Sequence, residues 1–307
     1  EFNTGDNFGC AYFQMNQRKG VRWSASKAFL RPIQHRPNLT VMTNTHVQKL
    51  ALEANEHGPR ATGVWITKGG DAPSLVTATR EVILAAGAVA SPQILQLSGI
   101  GEPALMQQLG AAPVIDLPGV GQNLQDHLQI RTIYKVSNTT TLNPRVNSLV
   151  GKAMMGLEYL LFKTGPLTMP PSQLGAFAKS DEAQPTPNME WHVQPLSLDQ
   201  FGSPLHPFNA ITPSVCNLRP ASRGAITAQS LDPLMAPKIN LNYLSNPEDE
   251  TVALAGLRMT RRIMKAKALA RFLPEEWKPG PERQSDTELL DAARDLGTTI
   301  FHPVGTC

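Results

Sequence analysis

Seven histidines are the side chains of this sequence with the widest use in catalysis, and their spacing limits the chemistry that they can do. They are His35, His46, His57, His127, His192, His206 and His302. No two of them have the His-Glu-x-x-His spacing of a zinc protease helix, and the sequence contains no Gly-x-Ser-x-Gly elbow and no Walker loop. It also lacks the Gly-x-Gly-x-x-Gly cradle that binds a dinucleotide pyrophosphate.

His302 is the histidine whose local sequence most favours a position at a cleft. It follows the extended segment 298–301 and precedes Pro303, and a residue before proline is disfavoured from the helical region. An imidazole at the end of an extended segment that enters a loop can be held at a cleft. Because a single histidine is more often structural than catalytic, the residues alone leave both roles open for His302.

Composition excludes several classes of protein. The 28 Lys and Arg against 25 Asp and Glu give a net charge of +3, too small an excess to indicate a nucleic-acid partner. Cys10, Cys216 and Cys307 lie far apart with no Cys-x-x-Cys pair, so neither a disulfide framework nor a metal site is indicated. No apolar run approaches the roughly 18 residues of a transmembrane segment. We therefore expect a cytoplasmic protein and leave open its peripheral attachment to the inner membrane.

The first part of the chain is predicted to contain three strands, at residues 38–50, 61–67 and 81–86. The third strand has the continuous apolar run Val82-Ile83-Leu84 and is expected to be buried. A hairpin turn is predicted at Gly69-Gly70-Asp71, between the second and third strands.

A helix is predicted directly after the third strand. The chain turns at Gly87, and Ser91 followed by Pro92 is a typical N-cap and first helical position for a helix over 93–97. A strand, a glycine turn and a helix form the unit in which open α/β sheets bind cofactors, because the helix N-terminus presents free N–H groups. The pattern alone leaves open whether this turn contacts a cofactor.

The rest of the chain has a different pattern. Short strands separated by Pro and Gly predict an antiparallel sheet, with strands at 188–193, 214–218, 225–230 and 238–241. Amphipathic helices are predicted at 151–162 and 247–271. A Ser-Asp-Thr-Glu capping box at 285–288 should begin a last helix, which Gly297 should end.

Several segments resemble the glucose–methanol–choline (GMC) oxidoreductases, flavoenzymes that oxidise alcohols. Residues 87–101, GAVASPQILQLSGIG, resemble the second signature of that family. Residues 119–127, GVGQNLQDH, are similar to its V-G-x-N-L-Q-D-H segment, and residues 302–306, HPVGT, to its H-P-x-G-T motif. Residues 24–30 and 36–41 are also similar to segments of the family. Shorter matches resemble the choline-dehydrogenase-like branch and extend the resemblance over nearly the whole chain, at 158–162, 165–168, 219–224, 232–233 and 242–244.

This resemblance implies a fold of the mixed α+β or α/β class. Residues 1–130 would be the remainder of a Rossmann-like FAD-binding domain, and residues 131–285 a substrate-binding domain whose antiparallel sheet is flanked by helices. Residues 286–307 would return to the FAD domain with the active-site histidine. Because the chain lacks an initiating Met and stops at Cys307, we expect a piece of a longer protein. The family's Gly-rich FAD-binding motif and its second catalytic His or Asn would lie outside this chain.

The resemblance also implies roles for individual residues. His302 matches the family's active-site base, which takes the hydroxyl proton of a primary alcohol while hydride leaves the same carbon for the flavin. Val47 and the turn Ala86-Gly87 match positions beside the adenine of FAD. Asn123 and His127 match a segment that packs near the flavin. For Val47, Asn123 and His127, an ordinary turn or core role stays open.

Two other functions are alternatives to alcohol oxidation. One is a non-catalytic GMC-like fragment or binding module without a working flavin site, and the other is an NAD-dependent dehydrogenase. Within alcohol oxidation, the substrate could be choline, an aliphatic alcohol or an aromatic alcohol. The sequence does not distinguish oxygen from a quinone as electron acceptor, so dehydrogenase and oxidase both stay open, as does the oligomeric state.

Overall fold

The computed structural model describes residues 2–307, which fold into a mixed α/β structure with two compact units. Unit 1 consists of the residues up to Arg36, His127–Arg219 and Pro247–Ile300. Unit 2 consists of Pro37–Asp126, Pro220–Asn246 and Phe301–Cys307. Each unit is therefore assembled from three separate stretches of the chain.

The elements of the described residues are numbered in chain order. The strands are β1 (Gly9–Tyr12), β2 (Gln17–Arg18), β3 (Val21–Arg22), β4 (Thr45–Asn55), β5 (Gly58–Lys68), β6 (Ser74–Thr77), β7 (Ile100–Gly101), β8 (Ile115–Asp116), β9 (Leu128–Arg131), β10 (Ile133–Lys135), β11 (Leu174–Ala178), β12 (Met189–Gln194), β13 (Ala210–Asn217), β14 (Ala225–Thr227), β15 (Lys238–Asn240), β16 (Glu275–Lys278) and β17 (Gly297–Thr299). The α-helices are α1 (Gly87–Leu97), α2 (Pro103–Leu109), α3 (Leu142–Asn147), α4 (Leu149–Phe162), α5 (Pro247–Met264) and α6 (Asp286–Leu296). Short 3₁₀ and π-helical segments lie at Ser26–Leu30, Pro166–Thr168 and Lys267–Phe272.

An antiparallel sheet forms the centre of unit 1. Its order is β1-β11-β12-β13, after which β9 and β10 both pair with β13 and are flanked by β17 and β16 respectively. Helix α5 packs on one face of this sheet, where the buried Trp191 donates from Nε1 to Thr260 Oγ1 at 2.7 Å. Gly256 permits this approach, because a Cβ there would lie 3.0 Å from Val215 Cγ2. The predicted antiparallel sheet with flanking helices is thus confirmed.

Unit 2 is built around the antiparallel sheet β4-β5-β6 and helix α1. Buried Gln96 on α1 connects three parts of this unit. Its Nε2 donates to Val120 O at 3.3 Å and Ile226 O at 3.0 Å, and its Oε1 accepts from Ala228 N at 2.8 Å. Helix α1 is thereby joined to the turn before Gly121 and to the β14–β15 hairpin.

Two local predictions are wrong. Residues 81–86 form no strand, and Ile83 is 81% exposed, because no strand of the described residues pairs with this segment. The predicted hairpin turn at Gly69-Gly70-Asp71 is confirmed, but the strand that follows it is β6. Helix α1 begins at Gly87, so Ser91 is not its N-cap, although Ser91 Oγ accepts from Ala86 N at 3.1 Å.

Other element predictions are confirmed with shifted ends. Strand β12 matches 188–193, and Ser285 and Glu288 form the predicted reciprocal capping box of α6. Helix α5 ends at Met264, earlier than predicted, and a 3₁₀ segment follows. Strands β14 and β15 pair with each other as a hairpin of unit 2 and do not extend the sheet of unit 1.

The contents of the two units differ from the simple chain order of the predicted domains. Residues up to Arg36 cluster with unit 1, and Pro220–Asn246 clusters with unit 2. The assignment of a flavin role to 1–130, a substrate role to 131–285 and a return to the flavin side to 286–307 stays a prediction. Within residues 2–307, no helix has the length and apolar content that crossing a bilayer requires. The three cysteines of these residues form no disulfide with one another.

Candidate functional sites

The His302 loop, residues 301–307, is held to unit 2 mainly through its backbone. Gln125 and Val304 exchange two N–H···O bonds of 2.9 Å, and Gly121 N donates to Thr306 O at 2.9 Å. Leu124, the neighbour of Gln125, exchanges two backbone hydrogen bonds with Gly224. Three segments that carry the family resemblance therefore pair in one small antiparallel arrangement. They are 119–127, 219–224 and 302–306.

Buried Asp126 fixes the position of His302 within this loop. Its Oδ1 accepts from His302 N at 3.0 Å, and its Oδ2 accepts from the Tyr243 hydroxyl. The backbone of His302 is thus bound to a carboxylate that is only 5% exposed, while the His302 side chain is exposed. The imidazole is accessible, and it is not packed into the hydrophobic core.

Asn123 supports the other end of the loop. It has a positive φ of 62°, a conformation that asparagine tolerates better than most residues. Its Nδ2 donates to Gly305 O at 3.3 Å, and its Oδ1 accepts from Arg223 Nε at 3.0 Å. Gly305 has a φ of 95°, and a Cβ there would lie 2.5 Å from Asn123 O, so this contact requires glycine. The predicted residue Asn123 therefore lies against the loop that contains His302.

Helix α1 begins beside the same loop. Thr306 Oγ1 donates to Ala88 O at 2.6 Å, which ties residue 306 to the first turn of α1. Ala86 is the N-cap of this helix, and Gly87 has a φ of 84°, where an added Cβ would meet nothing within 4 Å. The N–H groups of the first helical turn have no partner within the helix and carry a partial positive charge. Free N–H groups at the start of a helix are able to bind an anion.

Val47 and His127 lie elsewhere. Val47 is on β4, opposite Ile66 of β5. His127 belongs to unit 1, directly before β9, and its Nε2 lies 3.1 Å from Leu218 O. His127, Glu190 and Cys216 offer ligand atoms that all lie within 4.8 Å of one another, a cluster that the sequence did not predict. Because a carbonyl oxygen only accepts, the contact with Leu218 O requires a proton on His127 Nε2.

A second candidate site is the face of the unit 1 sheet opposite α5. The side chains on this polar sheet face come from alternate positions of three neighbouring strands, and they are Gln129, Arg131, Glu190, His192, Gln194, Thr212, Ser214 and Cys216. Nearly all of them are buried. Arg131, Ser214 and His192 form one row across β9, β13 and β12. Arg131 and Ser214 have buried side-chain atoms without a hydrogen-bond partner in the described residues, whereas His192 Nε2 lies 3.0 Å from Glu190 Oε1.

The sequence did not predict that the polar sheet face is buried, and the reason is physical. The alternation of Glu190, Trp191, His192, Val193 and Gln194 is typical of a strand with one apolar face and one face in water. Here the polar positions are buried as well as the apolar ones. The alternation itself was the available signal, but it does not indicate that the polar side is buried.

Comparison with known proteins identifies the class of protein. The N-terminal and C-terminal family models of the GMC oxidoreductases match residues 1–129 and 220–307, which together are more than half of the chain. The chain belongs to the GMC oxidoreductases. It includes the His302 loop and helix α1 within the matched ranges.

Curated relatives are alcohol and choline dehydrogenases. An "Alcohol dehydrogenase [acceptor]" of Pseudomonas putida is 38% identical over 100% of this chain and 55% of its own length. An "Oxygen-dependent choline dehydrogenase" of Klebsiella pneumoniae (strain 342) is 37% identical over 94% of this chain and 51% of its own length. The chain thus spans about half the length of the curated relatives that it matches.

Solved structures agree with this fold. A formate oxidase superposes with a TM-score of 0.89 at 25% identity, over 99% of this chain and 56% of the oxidase. A pyridoxine 4-oxidase from Mesorbium loti gives 0.83 at 26% identity, over 99% of this chain and 55% of the oxidase. The GMC oxidoreductases are flavoproteins, so membership of the family supports FAD as the cofactor.

Proposed function

We propose that the protein to which this chain belongs oxidises a primary alcohol to an aldehyde with FAD, and that His302 is the base. The observation that carries the proposal is the anchoring of the His302 loop. The backbone of His302 is bonded to buried Asp126 at 3.0 Å while its ring is exposed. Because its backbone is held in this way, the ring of His302 keeps its place in the fold, which lowers the entropy lost when it meets a substrate.

The proposed reaction separates a proton from a hydride. A ring nitrogen of His302 accepts the hydroxyl proton, since imidazole is a base near neutral pH. FAD, when bound, would supply the hydride acceptor for the same carbon, so that the alcohol would leave as an aldehyde. Asp126 acts as a positioning residue, because it accepts a hydrogen bond from the backbone of His302.

Residues of unit 2 are proposed to contact the cofactor. The turn Ala86-Gly87 offers the free N–H groups at the start of α1 and an open approach at Gly87. Val47 is proposed beside the adenine, on the strength of the family resemblance. Asn123 is proposed near the flavin, supported by its hydrogen bond to Gly305 in the His302 loop. His127 is proposed near the flavin from the resemblance alone.

The test is the rate of flavin reduction by alcohol in the complete protein. His302→Ala should lower this rate by roughly 10²- to 10⁴-fold, the usual contribution of a general base, while the flavin content stays the same. His57→Ala is the matched control, because His57 has an 87% exposed side chain in a hairpin turn of the same unit. Parental rates in His302→Ala would show that this histidine is not the base.

Further measurements on the complete protein separate the alternatives. A non-catalytic relative would purify without the visible flavin bands, and a nicotinamide-dependent enzyme would oxidise the alcohol only with added NAD. Choline and a straight-chain primary alcohol, compared at equal concentration, would distinguish the two substrate classes suggested by the curated relatives. The electron acceptor follows from whether oxygen or a quinone reoxidises the reduced flavin.

A further inference from the structure

Arg131 is a buried cation whose donors are only partly satisfied. Its side chain is on the polar sheet face, and the residue is 5% exposed. Nη2 donates to Gln194 Oε1 at 3.4 Å, whereas Nε and Nη1 have no hydrogen-bond partner in the described residues. These two nitrogens leave three N–H groups without an acceptor. Buried donors in native proteins are nearly always paired, so such a group requires an explanation.

No carboxylate of residues 2–307 forms an ion pair with Arg131. The acidic group of the same face, Glu190, places Oε1 3.0 Å from His192 Nε2 and does not reach the guanidinium within 4.0 Å. Burial lowers the pKa of Arg131, because the charged form loses its hydration. Arginine nevertheless keeps its proton in proteins, so the positive charge persists and an anion would stabilise it.

Ser214 adds a second unsatisfied group on the same face. It lies opposite Arg131 in the β9–β13 register and is fully buried, and its Oγ has no partner in the described residues. A hydroxyl can donate to an anion in the same way as the guanidinium N–H groups. The two residues occupy paired positions of neighbouring strands on one face, so the site is built on rigid elements of the fold.

Phe201 covers the guanidinium from the outside. The centre of its ring is 4.5 Å from Arg131 Cζ, and the residue is 49% exposed. Phe201 lies in the turn between Leu198 and Leu205, which form an isolated antiparallel bridge. A change in this turn can uncover Arg131 without breaking the pairing of β9, β13 and β12.

We infer that Arg131 and Ser214 form a binding site for a small monoanion of the carboxylate class, and that the Phe201 turn opens to admit it. One negative charge balances the single guanidinium, whereas a dianion such as phosphate would leave a buried charge uncompensated. A carboxylate has two oxygens with several lone pairs, which can accept from both Arg131 and Ser214. The site belongs to unit 1 alone, and this inference does not depend on the proposed oxidation of alcohols.

Calorimetric titration of the complete protein with sodium acetate tests the site. Wild type should bind acetate, and Arg131→Met should lose binding by at least roughly 100-fold, the effect of removing a charged hydrogen-bond donor. Arg145→Met is the matched control, because it makes the same change at an exposed position of unit 1 and should bind as wild type does. Equal binding by Arg131→Met and wild type overturns the inference, as does the absence of binding to folded wild type.

Phe201→Ala provides a second test that does not remove the cation. Loss of the ring over the guanidinium should tighten acetate binding by roughly 5-fold, because a cation–π contact no longer competes with the anion. Unchanged affinity would contradict the covering role of Phe201. If Arg131→Met fails to fold, this variant decides the inference, and failure of Phe201→Ala to change acetate binding overturns it.

Two further ligands test the class of the anion. Sodium chloride that binds as tightly as acetate would overturn the carboxylate class. Glycolate carries the same carboxylate group and should compete with acetate; a failure to compete would also overturn the carboxylate class.

Discussion

The His302 loop and the polar sheet face are held in opposite ways. In the loop, backbone bonds to residues 121–126 fix the conformation, and no side chain of unit 2 leaves a buried polar atom without a partner within the part of the chain that the structure describes. On the sheet face, the backbone is fixed by strand pairing, but buried groups of Arg131 and Ser214 have no partner in the described residues. The loop thus presents the exposed His302 side chain from a framework whose buried polar atoms are paired, whereas the sheet face retains buried polar atoms without a partner in the described residues.

The largest effect that would test this difference is expected at Gly121. Its φ is 84°, its N–H bonds Thr306 O, and a Cβ would lie 2.2 Å from Ile226 O. Gly121→Ala should lower the free energy of unfolding by about 3 kcal/mol, from backbone strain and a clash that cannot move aside. Denaturant unfolding measures this, with Gly110→Ala as control.

Gly110 has a similar φ of 74°, but a Cβ there would meet nothing within 4 Å. Its substitution should cost about 1 kcal/mol, from the backbone conformation alone. Equal losses for the two variants would show that the framework below the His302 loop is not tightly packed.

A smaller loss of unfolding free energy is expected for Asp126→Ala. It removes an acceptor of both His302 N and the Tyr243 hydroxyl, and should cost about 2 kcal/mol because two part-buried hydrogen bonds to a buried carboxylate are lost. Tyr243→Phe keeps the bond to His302 and should cost about 1 kcal/mol. Flavin reduction should fall in Asp126→Ala more than in Tyr243→Phe; a similar fall in both would mean that Asp126 does not position His302.

On the polar sheet face, removal of a polar group should not lower the free energy of unfolding. Ser214→Ala removes a buried hydroxyl without a partner in the described residues and should leave stability unchanged or raise it by up to about 1 kcal/mol. Thr212→Val is the control on the same strand, because Thr212 Oγ1 donates to Leu196 O at 2.7 Å and its loss should cost about 1 kcal/mol. Destabilisation by Ser214→Ala would contradict the claim that this hydroxyl is unsatisfied in the free protein.

The smallest effect concerns the turn that carries Phe201. A hydrogen bond from Lys278 lowers the pKa of Asp199, and this stabilises the protein above the ordinary pKa range of aspartate. The contribution is lost as the pH falls through the lowered pKa. Lys278→Met should therefore cost a few tenths of a kcal/mol at neutral pH, after solvent screening, and nothing near pH 2. Thermal unfolding across this range measures the difference, and a constant gap at all pH values would contradict it.

Local signals in the sequence predicted the elements whose partners are close in the chain. The capping box at Ser285 and Glu288 is confirmed because both bonds form within one helical turn. Residues 81–86 show the limit of such signals. Their apolar run is typical of a buried strand, but a strand requires a neighbour to pair with, and none of the described strands pairs with it.

The candidate sites differ in the same respect. The residues of the His302 loop were found because they lie in continuous segments that resemble a family, and the structure brings Asn123 and the start of α1 to that loop. The roles of His302, Val47, Ala86, Gly87, Asn123 and His127 stay predictions. Arg131, His192 and Ser214 are far apart in sequence, and only the register of three strands brings them together.

Gln96 gives unit 2 a chemical weakness. Its amide nitrogen donates to two carbonyl oxygens while its oxygen accepts from Ala228 N, so the side chain must carry a donor and an acceptor at opposite ends. Deamidation to glutamate would replace the donor by a negative oxygen that faces two other oxygens. Slow deamidation of this one buried side chain would therefore loosen helix α1 from the β14–β15 hairpin.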